Sequence, residues 1–311
     1  MAKRDMVQKG MKKVADVAIS EDGTVHPAAD STMHRLLSVQ RPVVLAYVRM
    51  LRRRHPEASV QEIADIIAKH YITITTGGGA AVGASAVVPG IGTAAALGIS
   101  TVETAGFLES SALYAQAIAE LHNLAVEDRM RANALVMGLM LGSSGEELVR
   151  KFSSDVPAEH DDTSASLTQW GSTVVRQIPS NVMGGLVKRM RKVVVRKFAA
   201  RVGGSMLGRI LPFGIGAVVG GVANRKMAQS IVANSVTAFG ELPDDFPPEL
   251  SLEAAHASQD KKMLRKLRNI LRLNAKHGRT DEVLPSAEQE GTGVAEPENP
   301  IAEPENSATS S

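Results

Sequence analysis

From Tyr71 to Val102 the chain carries no charged side chain, and this run most constrains what it can fold into. The segment Thr75–Glu103, TTGGGAAVGASAVVPGIGTAAALGISTVE, holds seven glycines and one proline. Three structures accommodate it. A phosphate-cradling loop would use the glycines to bring backbone N–H groups onto an anion at a helix N-terminus. A membrane span would use its length, since about 20 apolar residues cross a bilayer. A close-packed helix pair would use the small side chains to bring two backbones together.

Context weighs against the first structure. GIGTAA at Gly90–Ala95 matches a loose dinucleotide fingerprint, which needs a strand before it and another after its helix. Here a proline precedes it and helical sequence continues it. The second structure is opposed by VPGI at Val88–Ile91, a tight-turn signature. Proline presets φ at the first central position and glycine tolerates positive φ at the next. Each half left by that turn is too short to cross a bilayer alone. The run therefore reads as a helical hairpin with an apolar tip at Val88, Pro89, Gly90 and Ile91. A counterpart at Gly203–Gly240 is again glycine-rich around one proline, with its tip at Leu211, Pro212 and Phe213. Mid-helix glycine costs about 0.5–1 kcal/mol relative to alanine. Small residues at four-residue spacing, such as Gly79/Gly83, Gly138/Gly142 and Gly216/Gly220, thus point to a packing purpose.

The rest of the chain keeps a helical period. Val43, Val44, Tyr47, Val48 and Leu51 recur on one face after Pro42. Ser59 followed by Glu62 is a capping-box pattern that opens the next helix, with Ile63, Ile66, Ile67 and Tyr71 as its stripe. The return helix runs through Leu97, Phe107, Leu113, Tyr114, Ile118 and Leu121. Further helices are expected at Glu127–Leu141, ended by Gly142, near Trp170, at Asn181–Val202 and at Ser251–His277. No segment alternates with period two between hairpin signals. Aromatic residues make up only 3% of the chain, so the core must be aliphatic side chains, alanine and glycine between closely spaced helices. The fold class is all-α: a multi-helix domain with two glycine-rich apolar hairpins and a disordered acidic C-terminal tail.

Composition shifts divide the chain. Residues 1–40 form a polar N-terminal segment and 41–240 the helical domain, with an acidic internal linker at 153–166. Residues 241–279 supply a basic amphipathic helix, and 280–311 an acidic tail containing AEPEN twice. The basic N-terminus lacks an apolar core of signal-peptide length, so secretion is not expected.

Little here points to catalysis. The absence of cysteine removes disulfides, thiolate zinc sites and cysteine nucleophiles together. The histidines form no HExxH, the EHDD run at Glu159–Asp162 lies in the linker, and no GxSxG elbow occurs. No cofactor and no metal is expected. His70, Glu103 and Glu109 flank the apolar run. A carboxylate there would have a raised pKa, and Glu103, nearest the apolar residues, is the candidate functional carboxylate. More often such a group marks the solvent boundary.

The charge is unevenly placed. Leu186–Arg201 has seven Lys/Arg and no acid, with Val187, Met190, Val194 and Phe198 near one face. Lys261–Arg279 has eight Lys/Arg, and Arg52, Arg53 and Arg54 form a third cluster. Basic amphipathic helices suit an anionic membrane surface or a partner protein. Phosphates of nucleic acid attract the same residues, but stacking aromatics are scarce and no groove-reading motif is present. The other reading is a solvated face on a core helix. Lys188, Arg189, Arg191, Lys192, Arg196 and Lys197 are the candidate contacts to anionic lipid or an integral-membrane protein.

Taken together, HYITITTGGGAAVGASAVVPGIG, the acidic Glu103, IAELHNLAVEDRMRANAL and the later LPFGIGAVVGGVANRKMAQSIVANSVTAF resemble the EcsC family of bacterial proteins, over roughly residues 60–240. The family usually carries Asp where this chain has Glu103. The resemblance implies association with a membrane transport complex and supplies no catalytic residues. The expectation is a non-enzymatic, membrane-associated helical protein, accessory to a transport or envelope complex at the inner face of the plasma membrane. A full span stays open. The alternative is a soluble helical domain that binds an apolar or lipid ligand between its glycine-rich helices.

Overall fold

The computed structural model describes residues 37, 39–85, 93–154, 169–205, 215–258 and 260–275. Helix α1 spans Arg41–Arg54, with Pro42 in its first turn, where a missing N–H breaks no helical bond. Its last turn holds Arg52, Arg53 and Arg54 against the negative end of the helix. Val43, Val44, Tyr47, Val48 and Leu51 are all buried, as their spacing predicts.

Helix α2 spans Val60–Ser85. Its capping box closes in both directions: Ser59 N–H donates to Glu62 Oε2 at 2.8 Å, and Glu62 N–H to Ser59 Oγ at 3.2 Å. Helix α3 spans Thr93–Leu121. The expected tips at Val88–Ile91 and Leu211–Phe213, the linker beyond Ser154 and the acidic tail lie outside the described residues.

Helix α4 spans Arg129–Leu141, starting two residues later than Glu127 because Asp128 caps it and accepts from Arg131 N–H at 2.9 Å. Gly142 ends it at φ 62°, its N–H bonded to Gly138 O at 3.0 Å. It is thus a helix stop that needs a positive φ, and it also packs closely, since a Cβ there would lie 3.0 Å from Asn234 Nδ2 of the later helix. The chain turns directly into α5 (Ser143–Ser154), a helix the sequence reading did not anticipate. Helix α6 (Trp170–Ser172) leads into a π-helical turn at Thr173–Gln177. Helices α7 (Ser180–Ser205) and α8 (Ile215–Phe239) follow.

The single C-terminal helix expected at Ser251–His277 is instead two, α9 (Leu252–Ala257) and α10 (Lys261–Ala275). Side chains capture the groups that would have continued it. Ser251 caps α9 by accepting from Ala254 N–H, Arg53 Nη1 takes the Ala255 carbonyl at 2.6 Å, and Ser258 Oγ bonds the Asp260 carboxylate at 2.6 Å. Ser258 is left extended at φ −78° and ψ 136°. Among the described residues there is no strand, and the fold is all-α.

At the centre, α2 and α3 form an antiparallel pair and α8 lies along α2 in the most extensive helix contact of the structure. Tyr71 of α2 stacks on Tyr114 of α3 at 4.8 Å. Their hydroxyls are satisfied across the core, Tyr71 on Ser111 at 2.8 Å and Tyr114 on Ser235 of α8 at 2.7 Å. Asn224 Nδ2 donates to Thr75 O at 3.3 Å. With Asn224 level with Thr75 and Ser235 held by the ring that stacks on Tyr71, α8 runs antiparallel to α2.

Two flanks cover this centre. On one, α9 and α10 each pack on α1, and α1 and α10 reach α2 and α3; on the other, α4 packs on α3 and α8 and carries α7 and α5 outside it. Gly138 is the closest approach on the second flank. A Cβ placed there would sit 2.6 Å from Trp170 Cη2, and Gly145 of α5 crosses against the same glycine. Gly138→Ala is therefore expected to cost about 1–3 kcal/mol by overpacking. The expected outcome is a lower thermal midpoint and a changed fluorescence of Trp170, the sole tryptophan. An unchanged melt and spectrum would contradict this packing.

Candidate functional site

The sequence singles out a cationic helix, and α7 is that helix. Met183, Leu186, Val187, Met190 and Val194 are buried, while Lys188, Arg189, Lys192, Arg196 and Lys197 are exposed. The apolar positions recur every three to four residues and press on α4, which leaves Lys188, Arg189, Lys192 and Arg196 on the opposite side. No acid occurs anywhere in α7 to neutralise them.

Two of the six candidate contacts need correction or refinement. Arg191 is only 9% exposed and lies on the buried face, one turn from Val187 and Val194, so it is not part of the outer surface. Burial pushes its guanidinium pKa down. Lys197 stays exposed, but its Nζ donates to Ser144 Oγ at 3.0 Å and so ties α7 to α5. The two helices also meet at Gly185, where Phe152 packs against the bare backbone. Exposed Arg150 and Lys151 of α5 therefore belong to the helix beside the same face. The sequence reading missed them because it missed α5. The i,i+4 pair Glu146–Arg150 and the apolar Val149 and Phe152 were the available signals.

The third cluster, Arg52–Arg54, is mostly structural. Arg52 is buried at 6% exposure, donates to the carbonyls of His55, Pro56 and Ala58, and lies 3.7 Å over the Phe246 ring. It closes the α1–α2 turn, and burial lowers its pKa. Arg53 holds Ala255 O and the Asp260 carboxylate. Arg54 alone of the three is exposed.

The acidic candidates separate as well. Glu103 belongs to α3, and its side chain lies outside the described residues. His70 Nδ1 is 3.0 Å from the buried Tyr47 hydroxyl. Glu109 is the more unusual group. It is half-buried on α3, and its Oε2 is enclosed without a hydrogen-bond partner. Burial holds its carboxyl above the ordinary range. Glu120, about three turns further along the same face of α3, is also raised by burial, although Arg41 Nε approaches its Oε1 to 2.6 Å. Arg41 also reaches Glu249 at 2.6 Å, so this cluster ties α1 to α3 and to the C-terminal segment. Among the described residues no group of three or more His, Asp or Glu is placed to hold a metal ion. Among the same residues no helix is long and apolar enough to cross a membrane.

No family profile, curated protein or solved structure matches the chain. The site's own geometry is therefore what bears on function: an all-α bundle with a cationic outer helix, and a buried carboxylate of separate character.

Glu109 gives a pH test. The folded chain holds this proton to higher pH than the unfolded chain does, so its contribution to stability is favourable at low pH and lost as pH rises through the raised value. Glu109→Gln is expected to raise stability at pH 7 by about 1 kcal/mol, the low end for an enclosed acceptor without a partner. That gain should vanish below the ordinary carboxylate range. Thermal melts of both proteins at neutral and acidic pH check it; a destabilised variant at pH 7 would mean that Glu109 has a partner.

Proposed function

We propose that this is a non-enzymatic helical protein that docks peripherally on an anionic membrane, accessory to a membrane transport or envelope complex, through the outer face of α7. The observation that carries the reading is the sorting of α7, in which the exposed Lys188, Arg189, Lys192 and Arg196 share one side and no acid interrupts them. The neighbouring α5 adds Arg150 and Lys151, with Glu146 and Glu147 as the nearby acids. Each basic residue close to an anionic leaflet contributes about 1 kcal/mol. Four or five such residues supply enough attraction for reversible docking and not for permanent anchoring. The EcsC resemblance agrees with this reading, since it implies work beside a membrane transport complex at the inner face of the plasma membrane. An integral-membrane partner with an acidic surface would meet the same residues. The alternative of an apolar ligand between the glycine-rich helices is less favoured, because α8 and α2 contact each other directly.

Lys188→Gln, Arg189→Gln, Lys192→Gln and Arg196→Gln together test this; Lys197 is left because it bonds Ser144. All four are exposed, so the fold should survive. In flotation with phosphatidylglycerol vesicles the wild-type protein is expected to bind in low salt and to release as salt shortens the Debye length. The quadruple variant should bind about 100- to 1,000-fold more weakly, by about 1 kcal/mol per charge. Wild-type protein that ignores these vesicles, or that holds a DNA duplex more tightly at the same salt, overturns the proposal.

A further inference from the structure

Among the described residues, the large apolar side chains left exposed are Val222 at 48% and Val236 at 66%, and both belong to α8. Single exposed valines are ordinary. These two stand two heptads apart on one face, with Lys226, Gln229 and Ala233 exposed between them. The five recur at steps of four, three, four and three residues. That step averages about 3.5 residues, the period of a seam by which one helix packs along another. Arg225 borders the seam on one side and Ala223, Ser230 and Thr237 on the other, all exposed. The far side of α8 is fixed inward. Ala228, Ile231, Ser235 and Ala238 are buried there, Ser235 meets Tyr114, and Asn234 Nδ2 donates to Leu139 O at 2.7 Å. The bundle therefore holds the seam outward and uses none of it.

We infer that α8 is a self-association surface, across which two copies of the chain pair antiparallel about a two-fold axis. The chemistry of the seam selects this occupant. Lipid tails fit poorly, because Lys226 and Gln229 sit in its middle and cannot be left without polar partners. An acidic partner would suit Arg225 and Lys226 but not the valine at either end. A second copy suits every position. Aligned parallel, two copies would set Lys226 against Lys226. Aligned antiparallel, with the axis midway between Lys226 and Gln229, each Lys226 faces Gln229 of the other copy, whose amide oxygen accepts its N–H. The same alignment sets Val222 against Ala233, a large side chain into the space left by a small one. One two-fold operation makes each pair twice, as an isologous interface requires. Helix α8 contains no acid, so no carboxylate competes for Lys226 within the seam. The described seam, Val222 to Thr237, is about 22 Å long. One helix face of that length falls short of the about 800 Å² each partner buries in a standard interface, so the pair is transient and concentration-dependent.

Sedimentation velocity of the full chain, from micromolar to millimolar concentration, is expected to show a reversible shift from monomer to dimer. The shift should persist in high salt, because no attraction between opposite charges holds the seam. Val222→Gln with Val236→Gln, both at exposed positions, should keep the wild-type melt and weaken dimerisation about 10- to 100-fold, from four valines per dimer. The chain has no cysteine, so introduced thiols report the register without background. A mixture of Val222→Cys protein with Ala233→Cys protein should form an intermolecular disulfide in air, and neither protein alone should do so. Wild-type protein that stays monomeric throughout overturns the proposal, as does a double-glutamine variant that dimerises normally. Val222→Cys protein that crosslinks to itself overturns the antiparallel pairing, since that is the parallel outcome. Monomeric wild-type protein whose flotation with phosphatidylglycerol vesicles is lost in the double-glutamine variant would assign the seam to lipid instead.

Discussion

The close contact of α2 with α8 is the constraint on which the rest of this bundle depends. With almost no aromatic bulk to fill space, the chain must bring helix backbones near one another, and small residues let it do so. That nearness removes water from the interior, so every polar group left between the helices needs a protein partner. The interior supplies them at the centre of the bundle, Glu109 Oε2 being an exception. Tyr71 and Tyr114 each place a hydroxyl on a serine of a neighbouring helix, and Asn224 reaches the Thr75 carbonyl. Burial pushes both phenols up, Tyr114 to about 12, so they act as neutral donors. Because these bonds join α2, α3 and α8 at fixed heights, they select one register out of the many that small side chains alone would permit.

The arginines divide into two populations with different physics. Those on α1, Arg54 apart, face other protein. Arg41, Arg49 and Arg53 recur along one edge of the helix and grip Glu120, Glu249, Asp260 and the α9 carbonyls. Arg52 closes its own turn. A buried or half-buried guanidinium suits this because its planar fork satisfies several carbonyls and carboxylates at once. On α7 and α10 the cations Lys188, Arg189, Lys192, Lys261, Lys262 and Arg265 are exposed. A surface that keeps like charges together, without interspersed acids to relieve their repulsion, is what the proposed docking on an anionic surface calls for.

How far this was readable from sequence follows from the range of each signal. Local chemistry was legible: the Ser59–Glu62 box, the Gly142 stop, the buried stripe of α1 and the two-sided character of α7 all depend on neighbours within a turn or two. The break at Ser258 was not, since it depends on Arg53, some two hundred residues earlier, taking the Ala255 carbonyl. Arg52 looked like a surface charge for the same reason; only the folded chain brings Phe246 over it. Arg191 is a subtler miss. Its neighbours Lys188, Arg189 and Lys192 are outside, but at 100° per residue position 191 falls beside Val187 and Val194. The helical angle was available, and the run of basic letters hid it. The unpartnered oxygen of Glu109 depends on what encloses it, which composition does not carry.

The strength of the proposed docking argues for more than one contact. Five cations at about 1 kcal/mol each amount to an affinity near that of a single fatty-acyl chain, which holds a protein to a bilayer only transiently. Stable residence takes two signals. An amphipathic helix could supply one by inserting its apolar face, but α7 has already spent that face on α4, and α10 has turned its own onto α1, α2 and α3. Pulling either helix out would expose Leu186 or Leu267, each buried at 1% exposure or less, at a cost of about 1.5–3 kcal/mol per side chain before any lipid contact is made. Electrostatic contact from intact helices is therefore the cheaper mode. It holds a membrane firmly only when a partner already in the bilayer is engaged at the same time.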